Sequence, residues 1–149
     1  MTELLHTNLV KQSVEAFNRG DFQKAVEAFA ENAVFTDITL PQPHQGREAI
    51  RKAFEAGRRA YPDLKLTPTN WISSENQVVM EYTVAGTQSG PLELPGAGTI
   101  PATNKRFQTK GVAVAKLSEG RIVGVTDYSD SASIYKQLGV LPPSGGGPR

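Results

Sequence analysis

The sequence predicts an α+β fold in which three N-terminal helices pack on one face of a curved antiparallel sheet and enclose an apolar pocket. Three observations carry this. Apolar residues recur at helical spacing as far as Pro62 and at a spacing of two beyond it. No helix alternates with the later strands, which argues against a parallel α/β arrangement. At 149 residues the chain is one domain by size and long enough to bury a core unaided.

The elements follow in order. Over residues 2–19, Leu5, Leu9, Ala16 and Phe17 lie at helical spacing, and Gly20 supplies a helix C-terminus. Asp21 is placed to cap a second helix whose Phe22, Ala25, Val26 and Phe29 share a face. Residues 33–36 form a short strand, and 37–45, with Pro41 and Pro43, are loop because proline removes a donor. A third helix starts near Gly46, runs through Ile50, Ala53 and Phe54, and ends at Pro62. Leu64 and Leu66 alternate in a strand ahead of Pro68, Val78, Met80, Tyr82 and Val84 share one face of the next, and residues 73–76 join the two. Residues 86–104, rich in Gly, Pro and Thr, form either a loop over the pocket mouth or a plain long connection. Residues 107–117 and 121–128 are strands joined through Glu119 and Gly120. A last helical stretch, 131–138, is capped by Asp130 and stopped by Gly139, and residues 142–149 form a disordered Pro/Gly-rich tail after a domain of 1–141.

Composition narrows the function. Sixteen Lys and Arg balance fifteen Asp and Glu, so no broad field steers the chain to nucleic acid or an anionic membrane, and an apolar small molecule suits it better. The absence of Cys removes thiolate nucleophiles and Cys-ligated metals. His6 and His44 are far apart in sequence with no second ligand at metal spacing, so both are expected on the surface and no metal is expected. Without a charged N-terminal segment followed by an apolar run, or any stretch of about 18 apolar residues, the chain is expected to be soluble and cytoplasmic. Arg47, Arg51, Lys52, Arg58 and Arg59 form a basic run that Glu48 and Glu55 balance as a solvated helix face.

Three segments resemble one superfamily in the same order: Ala16-Phe17-Asn18-Arg19-Gly20-Asp21; Asp37 through Pro43-His44-Gln45-Gly46 to Ala49-Ile50; and Pro101-Ala102-Thr103 followed by Glu119-Gly120-Arg121-Ile122 and Asp127-Tyr128-Ser129-Asp130. The second is similar to the third-helix entry of ketosteroid isomerases, and the third to the ending of SnoaL-like polyketide cyclases of the nuclear-transport-factor-2-like superfamily. The resemblance implies a cystatin-like, cone-shaped α+β barrel, places the cyclases' acid/base aspartate on Asp127, and places the isomerases' general base on Asp37. It also implies that the isomerase tyrosine falls on Ser13, and that both the isomerases' protonated aspartate and the cyclases' pocket histidine fall on Ala113. Epoxide hydrolases of the superfamily resemble Asp127-Tyr128, yet the positions of their arginine and second aspartate read Tyr82 and Val84.

The residues themselves support a site near Asp127. A carboxylate facing an apolar pocket has its charged form disfavoured, which lifts its pKa toward useful proton exchange. Strand alternation puts Val123 and Val125 on its face as a dry wall. Asp37 is the second carboxylate, or else a loop aspartate making a local turn bond. Tyr82 either orients a ligand carbonyl or packs in the core with its hydroxyl satisfied, while Trp71 and Met80 are candidates to line the pocket. Ala113, Ala115 and Leu117 leave room on one strand face. The function expected is acid/base chemistry on an enolisable carbonyl compound without a cofactor, as in polyketide-like cyclisation or double-bond isomerisation. The alternative is a non-catalytic binder of an apolar small molecule. Val112, Val114 and Ile122 are expected on an outer sheet face suited to a homodimer.

Overall fold

The computed structural model describes residues 2–140, so the expected tail lies outside the described residues. Three helices precede most of the sheet: α1 (Thr2–Asn18), α2 (Phe22–Glu27) and α3 (Arg47–Ala60). The strands are β1 (Phe29–Asp37), β2 (His44–Gln45), β3 (Lys65–Ser73), β4 (Gln77–Thr87), β5 (Leu92–Leu94), β6 (Gly98–Ile100), β7 (Arg106–Ser118) and β8 (Arg121–Ser129), and α4 (Ser131–Leu138) follows. Six strands form one sheet in the order β2-β1-β8-β7-β4-β3, and β5 pairs with β6 separately. Neighbours from β8 to β3 are antiparallel, as expected, while β1 joins β8 in parallel. Among the described residues no helix is long and apolar enough to cross a membrane.

Local chemistry sets the helix ends. The Asp21 carboxylate accepts from the Lys24 N–H at 3.1 Å, and the Asp130 carboxylate accepts from the Ser133 N–H at 3.0 Å. Gly139 closes α4 at φ +74°, a conformation that costs glycine nothing. The β7–β8 hairpin turns through Glu119 and Gly120, both at positive φ, as a two-residue loop matched to strand twist requires.

Contacts made at long range explain where the expected spans change. α2 stops before Phe29 because the Ala28 carbonyl is taken by the Ile122 N–H of β8 at 2.8 Å, which draws Phe29 into β1. β3 runs to Ser73, at the joint expected over 73–76, and accommodates Pro68 because it is an edge strand, where a missing donor is tolerated. Residues 86–104 are not a loose cover. β4 continues to Thr87, and the wholly buried Gln88 side chain donates to the carbonyls of Gly90 and Pro101 and accepts from the Thr103 N–H. The β5–β6 hairpin is thereby fastened beside the end of α3, where the Gly90 N–H reaches the Ala60 carbonyl.

Phe54 of α3 is the centre of the helix-side core. Its ring lies 5.1 Å from Phe17, 5.7 Å from Phe35, 6.2 Å from Phe22 and 6.3 Å from Phe29, with near-perpendicular or tilted planes. The basic run on α3 is only partly a solvated face. Arg51 pairs with Glu48 and Glu55 as expected, but Arg47 donates to the Phe29 carbonyl and Arg58 to the Phe17 carbonyl. Their guanidinium groups tie α3 to the chain on either side of α2.

Candidate functional site

A cavity of about 340 Å³ lies between the helices and the inner face of the sheet. The sequence makes this space on β7, whose inward positions carry Gly111, Ala113 and Ala115 where larger side chains would fill it. Phe17, Phe29, Phe35 and Phe54 wall the helix side, and Val78, Met80 and Val84 wall the β4 side. Polar groups gather toward the ends of β1 and β8: Asp37, Asp127, Ser129 and His44, with Tyr82 from β4. Among the described residues no Lys or Arg lines the space to neutralise an anionic ligand.

Asp127 and Asp37 are register partners on the parallel β8–β1 pair. Asp127 faces Ala113 on its other side, and that small side chain leaves space beside the carboxylate. The Tyr82 hydroxyl donates to Asp127 Oδ1 at 2.6 Å, which leaves Oδ2 with no hydrogen bond among the described residues. Burial pushes the Asp127 carboxyl up to about 6; the Tyr82 hydrogen bond opposes the rise, and the Asp37 charge adds to it. Burial, helped by the neighbouring carboxylates, also holds the Tyr82 phenol well above its ordinary value, so it remains a donor across the physiological range. Asp37 is held differently. Its Oδ1 accepts from the Thr39 N–H at 2.9 Å and from the Thr39 hydroxyl at 2.6 Å, the local turn bond expected of a loop aspartate, while the side chain still borders the cavity.

Asp127, Asp37, Tyr82, Met80, Ala113 and Val125 are therefore brought together, and Trp71 is not. Trp71 stands opposite Met80, but β3 is the edge strand and α1 lies over it, with Lys11 Nζ 5.4 Å from the indole centroid. It seals the core beside the cavity instead of lining it. Val123 is likewise displaced. A bulge opposite Lys116 and Leu117 inserts one residue into β8, so Ile122, 2 % exposed, turns inward with Val125, and Val123, 38 % exposed, turns out. Ile122 thus leaves the outer face assigned to it and becomes part of the dry wall. No residue between 86 and 104 borders the cavity.

Neither histidine is a plain surface residue. His6 is buried and its Nδ1 bonds the Glu75 carbonyl at 2.9 Å, pinning α1 to the β3–β4 turn. His44 borders the cavity because β2 pairs with β1 and sets it opposite Phe35. A two-residue strand leaves no periodicity to read, so nothing in the sequence signals that placement. Ser129 shares the face of Asp127 two residues on, a placement that strand alternation alone signals. Among the described residues no cluster of three or more His, Asp or Glu is gathered that could hold a metal ion.

Known proteins share this fold. A family model described as the SnoaL-like domain matches residues 10–125. A candidate polyketide cyclase from Xanthomonas campestris pv. campestris superposes with a TM-score of 0.82 at 24% identity, covering 93% of this chain and 99% of that one. IdmH, a candidate polyketide cyclase from Streptomyces antibioticus, gives 0.74 at 25% identity over 91% and 99% of the two chains. A protein of ketosteroid-isomerase-like fold from Catenulispora acidiphila, solved in complex with trimethylamine, gives 0.75 at 16% identity over 89% and 93%.

Proposed function

This chain belongs to the SnoaL-like domain family, and from that premise we propose that it is an acid/base enzyme acting, without a cofactor, on an enolisable carbonyl compound. The observation that carries the reading is Asp127: a carboxylate inside an apolar cavity, one oxygen held by Tyr82, the other free, with a pKa raised to about 6. A base of that affinity is ionised at neutral pH and still strong enough to take a proton from a carbon acid. Asp127 Oδ2 would remove the proton α to the carbonyl, leaving an enolate. In an isomerisation the same proton returns to a different carbon. In a cyclisation the enolate carbon attacks a second carbonyl carbon of the substrate, and the proton passes from Asp127 to the alkoxide formed. Ser13 also borders the cavity but donates to the Ala25 carbonyl, so His44 and Ser129 are our candidates to meet the enolate oxygen. Asp37 acts by its charge, which strengthens the base. The lack of lining Lys and Arg favours neutral substrates over carboxylates or phosphate esters.

The test is turnover of a panel of enolisable ketones and polyketide-like esters across pH. The expected profile rises through a midpoint near pH 6 and flattens above it, because Asp127 must be ionised to act. A rate that falls through that range would overturn the assignment of Asp127 as base.

A second reading, non-catalytic binding of an apolar molecule, is favoured by one observation. The Tyr82 hydroxyl hydrogen is committed to Asp127, so that donor is not free to polarise a carbonyl. It predicts that apolar ligands raise the melting temperature equally in wild type and Asp127→Asn, with no turnover in either. We further propose that the outer sheet face, where Ile72, Ile38 and Tyr128 are 56, 52 and 49 % exposed, pairs with a second copy of the chain; sedimentation of a purely monomeric species at micromolar concentration would refute this.

A further inference from the structure

Tyr82 and Asp127 do not sit on neighbouring strands. β7 runs between β4 and β8, so the donor and acceptor backbones are two strand spacings apart, about 10 Å. The tyrosine crosses that distance by lying over β7 at Gly111, its own register partner. A Cβ placed on Gly111 would stand 2.3 Å from the Tyr82 hydroxyl oxygen and 2.4 Å from the ring carbon that bears it, far inside any real contact. No alternative reason for glycine is present. Gly111 is not among the residues with positive φ, so its backbone is one that any L-residue adopts. Glycine within a strand otherwise weakens it, which makes an unforced glycine here costly to keep.

We propose that Gly111 is a positioning residue for the site, opening the path across β7 by which Tyr82 reaches Asp127. The inference extends the acid/base reading of the cavity but rests on geometry that would exist without turnover. With Gly111 replaced, the phenol must swing out of its place over β7 and the hydrogen bond that favours the ionised carboxylate is lost. Asp127 is then left with its burial and the neighbouring Asp37 charge, both of which hold the proton on.

The experiment is an NMR titration of the Asp127 carboxyl carbon, identified by its loss in Asp127→Asn, in wild type, Gly111→Ala and Tyr82→Phe. The expected result is a midpoint raised by about one pH unit in both variants, the shift that losing one hydrogen bond to a charged group produces. If Gly111→Ala titrates like wild type while Tyr82→Phe shifts, Gly111 does not position the tyrosine and the proposal fails. If neither shifts, the Tyr82 bond does not govern Asp127 and the proposal fails at its root. Should Gly111→Ala not fold, the double variant Gly111→Ala/Tyr82→Leu decides. Folding restored by removing the ring supports the proposal, and a double variant that stays unfolded overturns it, since the glycine would then serve something other than Tyr82. None of these readouts requires a substrate, so failure of the enzymatic reading to yield turnover leaves them intact.

Discussion

The ends of β1 and β8 place the same chemical group at the same register position, and the two carboxylates come to different states. Asp37 leaves its strand into a turn, where one threonine offers both its N–H and its hydroxyl to a single oxygen. Asp127 stays within its strand, half-buried, with one hydroxyl donor and an alanine beside it. Donors favour the ionised form and burial disfavours it, and at Asp127 burial prevails and lifts the pKa to about 6. What differs between the two is how many donors each carboxylate finds and how it is enclosed; residue type and register position are common to both.

The largest effect expected from this contrast is on turnover. Asp127→Asn keeps size and the acceptor for Tyr82 while removing the proton-transferring oxygen, and should lower kcat/KM by about 10²–10⁴-fold. Asp37→Asn preserves the turn with Thr39 and should cost about tenfold or less, since it alters only a neighbouring charge. Equal losses in the two variants would mean that Asp37 also touches the reacting atoms.

Next in size is stability. A carboxyl whose pKa is higher in the folded chain than in the unfolded one binds its proton more tightly when folded. Its contribution is therefore fully present below about pH 4 and is lost as pH rises through about 6. At pH 7 the ionised Asp127 is a liability, and Asp127→Asn should stabilise the protein by on the order of 3 kcal/mol in urea unfolding, a gain that vanishes near pH 3.5. A gain independent of pH would place the stabilisation elsewhere than in the titrating group. Together with the first expectation, it predicts a variant that is more stable and less active, a common outcome at sites that hold a strained or ill-solvated group.

What could be read from the sequence divides along the same line between local and distant causes. The caps Asp21 and Asp130, the stop at Gly139 and the Glu119-Gly120 turn were legible because each depends on residues within a few positions. Asp127 was legible from its strand and from the order of motifs around it. The β8 bulge that exchanges Ile122 for Val123 was not, because strict alternation is all a sequence offers and the inserted residue is set by pairing with β7. The same holds for His44, brought inward by a two-residue pairing, and for Trp71, whose parity points inward but whose place is taken by α1. The Tyr82–Asp127 bond spans 45 residues and an intervening strand, so no local pattern announces it.

The smallest effect expected is the one that most directly asks whether the two aspartates belong to one site. The Asp37 charge raises the proton affinity of Asp127, so neutralising it in Asp37→Asn should lower the Asp127 midpoint, by less than one pH unit given that burial is the larger cause. The shift is opposite in sign to that expected on losing Tyr82, and it should appear equally in the carboxyl titration and in the acidic limb of the pH–rate profile. High salt should shrink it little, because charges bordering a buried cavity are poorly screened. A midpoint that does not move would separate the two carboxylates, leaving Asp127 as a lone base and Asp37 as the anchor of its own turn.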